Sequence, residues 1–60
     1  METRQYRLTR HPAGWQVIVT YGLLDTALLG AGRVWRLQSE ARKAAREHAE
    51  RAGVKPIILT

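Results

Sequence analysis

The chain has 60 residues, a net charge of +5 and no cysteine. A chain of this length forms one small domain that buries only about 60% of its unfolded surface, and without cysteine it has neither a disulfide nor a zinc finger to support it. We therefore expect residues 1–60 to be a single domain that gains stability by self-association as a homo-oligomer.

The first residues, METRQYRLTR, are charged, and no apolar run approaches the ~18 residues that a membrane span needs. The N-terminal segment is therefore not expected to be a signal peptide, and we expect no membrane contact and a cytoplasmic location. The arginine-rich and alanine-rich composition is typical of a GC-rich genome, which favours a small bacterial or bacteriophage accessory protein.

The first two predicted strands form a hairpin. Residues 5–11 alternate between apolar and polar side chains, and residues 15–21 are rich in β-branched and aromatic types. The segment between them contains Pro12 and Gly14, which β-turns favour. This pattern predicts an antiparallel hairpin.

Residues 22–32, GLLDTALLGAG, leave two alternatives open. The segment either extends the second strand and begins a third through a loop near Leu24 and Asp25, or it forms a short helical turn. Residues 33–37 are predicted to be a strand, with Trp35 and Leu37 on one face.

A helix is predicted over residues 39–52. Its expected N-cap is Ser39, and Gly53 stands where a left-handed residue ends a helix. Pro56 prevents the helix from resuming, and residues 57–59 predict a short final strand. One stripe of the helix, at helical spacing, consists of Ala41, Ala44, Ala45, His48, Ala49 and Ala52.

The predicted fold class is α+β: a three-stranded antiparallel sheet, one α-helix packed on one face and a short C-terminal strand at a sheet edge, in the order β-β-β-α-β. Because the helix stripe is almost all alanine, bulky sheet residues must fill the core. The expected core residues are Tyr6, Leu8, Trp15, Val17, Val19, Trp35 and Leu37. His48 faces the sheet in this arrangement, where a carbonyl, Tyr6 or Tyr21 is its expected partner.

Arginine is concentrated in the predicted sheet. If the core residues face the helix, then Arg7 and Arg36 face away from it together with Thr9, Gln16 and Thr20. A polar and positive sheet face of this kind is typical of proteins that read DNA or RNA with a sheet. The sequence therefore predicts nucleic-acid binding, with Arg7 and Arg36 on the face and Arg4, Arg10 and Arg33 near strand ends.

The alternative function is protein interaction or self-assembly. It rests on Leu23, Leu24, Leu28 and Leu29, in a segment that a small domain can hardly bury alone. An exposed apolar patch of this kind usually marks an interface. An antitoxin-like protein or a phage protein that engages a host factor is the expected type.

No motif predicts an enzyme, a cofactor or a metal site. The stretch Gly30-Ala31-Gly32 lacks both the length and the Lys-Ser/Thr of a phosphate-binding loop. The helix carboxylates are expected to face solvent, where they form no pair for acid–base catalysis.

The segments GWQVIV, RVWRLQSEARKAAREHAERAG and KPIIL resemble small β-β-β-α-β families. One is the HicB-like antitoxin group, in which a degenerate ribonuclease-H-like sheet precedes a helix and a final strand; this resemblance implies toxin neutralisation. The chain is also similar to three-stranded-sheet DNA-binding domains, of the plant ethylene-response type and of phage integrases. There RVWRL and SEARKAA resemble the third strand and helix start, and Arg4, Arg7 and Arg10 resemble the basic first strand.

Overall fold

The computed structural model describes residues 2–23 and 25–60. Within them the chain forms one sheet of strand order β3-β2-β1-β4 and one helix that packs on one face of the sheet. The elements are β1 (Thr3–His11), β2 (Gly14–Tyr21), β3 (Asp25–Leu28), α1 (Gln38–Ala52) and β4 (Lys55–Leu59).

The predicted hairpin of β1 and β2 is confirmed. The two strands pair antiparallel, with Tyr6 opposite Val19 and Leu8 opposite Val17. These four side chains are buried on the face that α1 covers, whereas their neighbours along each strand point to the other face. The hairpin therefore supplies the centre of the core.

The prediction of a strand over residues 33–37 is wrong. The third strand is β3, which lies in the segment that the sequence left open and pairs antiparallel with β2. A short 3₁₀ turn, Leu29–Ala31, follows it, and residues 30–32 have positive φ angles. Of the segment 33–37, only Trp35 pairs with the sheet, in an isolated bridge to Trp15.

The helix begins one residue earlier than predicted, and Ser39 is not its N-cap. Leu37 occupies that position, and its backbone N–H donates to the carboxylate of Glu40 at 3.1 Å. At the other end Gly53 takes the predicted left-handed conformation, with φ of 69°. The N–H groups of Gly53 and Val54 donate to carbonyls of the last turn, which satisfies groups that a helix end leaves unpaired.

The predicted class, α+β, is confirmed, but the sheet has four strands rather than three. The C-terminal strand β4 lies beside β1 and runs parallel to it, with Ile58 opposite Tyr6. The sheet is therefore mixed, and β1 is an interior strand with a neighbour on each side.

The core contains fewer of the predicted residues than expected. On α1 only Ala41, Ala45 and Ala49 are fully buried, while Ala44 is half-buried and Ala52 is exposed. Leu37 does not belong to the core, because as the helix N-cap it is 57% exposed. Partly buried side chains that pack on the core are Trp15, Leu29, Trp35 and Ile58, and Val54 is itself buried.

Candidate nucleic-acid interface

Five arginines lie in two stretches of the sequence that contain no acidic residue. Residues 3–24, which include the hairpin, hold Arg4, Arg7 and Arg10. Residues 26–39 hold Arg33 and Arg36. These two stretches therefore carry most of the excess positive charge of the chain. Their position in the fold decides where a polyanion could bind.

The structure brings the two stretches together through a bridge between two tryptophans. The backbone N–H of Trp15 donates to the carbonyl of Trp35, and the N–H of Trp35 donates to the carbonyl of Trp15, both at 2.7 Å. Gly14 makes this contact possible, since a Cβ atom there would overlap the Trp35 carbonyl oxygen and lie 3.2 Å from Arg36 Cα. The segment 33–36 is therefore held against the turn end of the hairpin.

At this end of the sheet two guanidinium groups lie over indole rings. The Arg10 Cζ atom is 5.2 Å from the centroid of the Trp15 ring, and the Arg33 Cζ atom is 5.5 Å from that of Trp35. Cation–π contacts of this length favour an orientation in which the guanidinium covers the ring face. Its N–H groups can then still donate to an anion at the rim.

We name this group the arginine–tryptophan cluster, and its members are Arg10, Trp15, Arg33, Trp35 and Arg36. The sequence contains a signal for it that the prediction did not use. Arg10 and Trp15 are direct partners across the hairpin, and Arg33 and Trp35 are two residues apart in the sequence. Each arginine therefore lies beside its tryptophan because the two residues are close in sequence or paired across the hairpin.

The two remaining arginines of the predicted site lie elsewhere. Arg7 stands on the sheet face turned away from α1, opposite Ile18 of β2. Arg4 lies on the helix side at the other end of β1, with its Cζ atom 4.8 Å from the centroid of the Tyr21 ring. The structure thus does not place all five arginines on one sheet face; Arg36 in particular belongs to no strand.

A groove runs along the flank of α1 next to the cluster. It has a volume of about 530 Å³, and Arg33, Trp35 and His48 are among its lining residues. Side chains of both charge signs line the helix wall, including Lys43 and Glu47. The groove therefore adds no uniformly positive surface to the cluster.

His48 has the structural role that the sequence predicted. Its Nδ1 atom lies 2.8 Å from the hydroxyl of the buried Tyr6. Partial burial lowers the pKa of His48 from its ordinary value of 6.5, and the charges of Arg4 and Arg51 lower it further. The imidazole is therefore neutral near pH 7, and its Nδ1 can accept the hydrogen bond from the Tyr6 hydroxyl.

The leucines proposed as an interface divide into two groups. Leu23 is 96% exposed and Leu28 is 43% exposed, while Leu29 is partly buried and packs on the core of its own chain. Leu24 lies outside the described residues. The prediction that Leu29 serves an interface is therefore weakened, whereas Leu23 and Leu28 are available to a partner.

In residues 2–23 and 25–60, no three His, Asp or Glu side chains are grouped so that they could hold a metal ion. In the same part of the chain, no helix has both the length and the apolar character needed to cross a membrane.

Comparisons of the chain with protein-family models, curated protein sequences and solved structures find no match. The resemblances to HicB-like antitoxins and to sheet-based DNA-binding domains therefore stay predictions.

Proposed function

We propose that the protein is a small non-enzymatic module that binds nucleic acid through the arginine–tryptophan cluster. The observation that carries this proposal is the convergence of three arginines and two partly exposed tryptophans at one end of the sheet, from stretches without a carboxylate. Arginines bind phosphate oxygens through paired N–H donors, and aromatic or guanidinium planes stack on bases.

Phosphate neutralisation dominates the affinity in this proposal. For three phosphate contacts the logarithm of the binding constant falls with the logarithm of salt concentration with a slope of about −2.1 for a single strand and about −2.7 for a duplex. Between 50 and 200 mM salt, this corresponds to a loss of roughly 20-fold and 40-fold respectively. The slope therefore measures how many arginines contact phosphate groups.

Fluorescence anisotropy with a labelled single-stranded DNA, its duplex and the matching RNA tests the proposal. The double variant Arg10→Gln/Arg33→Gln is expected to lose about 10-fold or more in affinity at low salt and to flatten the salt slope. The matched control is Arg46→Gln, which removes the same type of charge from an exposed position on α1.

If two such substitutions on the helix reduce the affinity as much as the double variant does, only the net charge matters. The assignment of the arginine–tryptophan cluster as the binding site would then be wrong. Absence of binding to all three nucleic acids at low salt would end the proposal itself. Circular dichroism of each variant verifies that the fold is retained.

A second candidate function is self-association or protein interaction at the β3 edge. All four residues of β3 are exposed, and β3 is one of the two outer strands of the sheet. Unpaired edge strands form hydrogen bonds with other strands, and the exposed Leu23 side chain lies just before this edge. Light scattering at about 100 μM tests self-association: a homo-oligomer that Leu23→Glu dissociates supports it, and a monomer contradicts it.

A further inference from the structure

We propose that the sheet face turned away from α1, here called the open face, is a docking site for an acidic amphipathic helix of another protein. This surface is distinct from the arginine–tryptophan cluster. It consists of the strand residues that alternate with the buried ones.

One row of side chains crosses the whole open face. The pairing registers place Leu28, Ile18, Arg7 and Leu59 side by side on β3, β2, β1 and β4. Leu28 is 43% exposed, while Ile18 and Leu59 are half-buried. In the next row Ile57 is 44% exposed. Apolar side chains thus lie on either side of a central cation on the face opposite α1, and at its β2 side Gln16 donates to the carbonyl of Gly32 at 3.0 Å.

The charge of the open face is uniformly positive. Its charged strand residues are Arg7 and Lys55, and none of the described strand residues on it is acidic. Glu2, the nearest acid in sequence, precedes β1 and lines a pocket at the rim of the face. A complementary partner therefore supplies a carboxylate opposite Arg7, with apolar side chains beside it.

This charge excludes a second copy as the natural occupant. If two open faces packed against each other about a two-fold axis, the interface would enclose the Arg7 guanidinium of each copy and no carboxylate from either face. Burying a cation without a partner is strongly unfavourable. Phosphate groups can pair with Arg7, but they leave the leucine and isoleucine side chains of the open face uncovered and therefore match the whole face less well than an amphipathic helix does.

The row of side chains on the open face has the dimensions that one α-helix can cover. Neighbouring strands are about 4.8 Å apart, so the row from Leu28 to Leu59 spans about 14 Å. A helix has a diameter of about 10–12 Å and a rise of about 1.5 Å per residue, so roughly ten residues cover the row.

Two synthetic helical peptides of equal length provide the test. One presents leucine and glutamate on a single stripe, and the other presents leucine and lysine. In two-dimensional ¹H–¹⁵N NMR spectra of the labelled full chain, the acidic peptide is expected to shift the amides of Arg7, Ile18 and Leu59 saturably, and the basic peptide is not. Arg7→Glu should weaken binding about tenfold or more. Arg46→Glu makes the same charge change on α1 and should leave the affinity within about twofold.

Other outcomes overturn the proposal. If both peptides bind equally, the face recognises only apolar surface. If the same amides shift with protein concentration alone, the occupant is a second copy. If a single-stranded oligonucleotide shifts these amides more strongly than the acidic peptide does, the open face belongs to a nucleic-acid site. Binding by the oligonucleotide at the arginine–tryptophan cluster is a separate result and does not bear on this proposal.

Discussion

Replacing Gly14 with alanine is expected to separate the two halves of the arginine–tryptophan cluster. The backbone at Gly14 has a φ of 151°, which side-chain-bearing residues rarely adopt, and the new Cβ atom would overlap the carbonyl oxygen of Trp35. The obstacle is backbone rather than the end of a flexible side chain. The segment that carries Arg33 and Arg36 must therefore move away from the hairpin.

The magnitude follows from the two interactions that are affected. Strain at an unfavourable φ costs about 1–3 kcal/mol, and each of the two hydrogen bonds between Trp15 and Trp35 contributes about 0.5–1.5 kcal/mol. We therefore expect a loss of about 2–6 kcal/mol in the free energy of unfolding. Because a chain of this length has a total of roughly 3–9 kcal/mol, the variant is close to unfolding at room temperature.

Urea titration followed by tryptophan fluorescence and by circular dichroism measures this loss. The matched control is Gly22→Ala, because Gly22 also has a positive φ but an added Cβ would meet nothing within 4 Å. The control should lose only about 1–2 kcal/mol, the cost of the left-handed conformation. If Gly14→Ala loses no more than Gly22→Ala, then the Trp35 carbonyl does not lie against Gly14 and the reasoning is refuted.

Three further predictions concern the helix. Ala45→Leu should overpack the fully buried contact with the sheet and destabilise the fold by about 1–3 kcal/mol, whereas Ala52→Leu at an exposed site should have little effect in the same urea titration. The free energy of unfolding should fall as the pH is lowered through about 6.5 toward 5, because the pKa of His48 is lowered in the fold and the unfolded chain takes up the proton first; in His48→Gln, this part of the pH dependence should vanish. Glu40→Ala removes the acceptor for the Leu37 N–H and should lower the midpoint of thermal unfolding, by an amount that corresponds to about 0.5–1 kcal/mol; an unchanged midpoint would mean that water replaces the carboxylate without cost.

Local patterns were sufficient to predict the hairpin and the helix. The alternation from Tyr6 to Leu8 and from Val17 to Val19 repeats with the period of a strand, and the alanines repeat with the period of a helix. Gly53 ends the helix through a backbone conformation that depends on that residue alone. Each of these features depends on residues that are only a few positions away in the chain, so it can be predicted from the sequence.

Most of the wrong predictions concern the segment around Trp35 and its contacts with the sheet. The segment around Trp35 has the composition of a strand, but the positive φ angles at residues 30–32 turn it so that only one residue reaches Trp15. The prediction that Leu37 belongs to the core depends on a strand in which Leu37 and Trp35 share one face. Because residues 33–37 do not form a strand, the two side chains need not share a face. The arginine site was affected by the same error, because the expected position of Arg36 depended on a strand at 33–37.

The parallel pairing of β1 with β4 also bears on the order in which the sheet assembles. The hairpin and the helix can form from contacts between near neighbours in sequence, but Tyr6 and Ile58 meet only when the two ends of the chain come together. Closing so long a loop costs entropy, so we expect this pairing to form after the hairpin and the helix have packed together. We expect Val19→Ala to slow the folding rate in stopped-flow experiments, and Ile58→Ala mainly to accelerate unfolding. The interior strand of the sheet would then acquire its second neighbour late, after the barrier has been crossed.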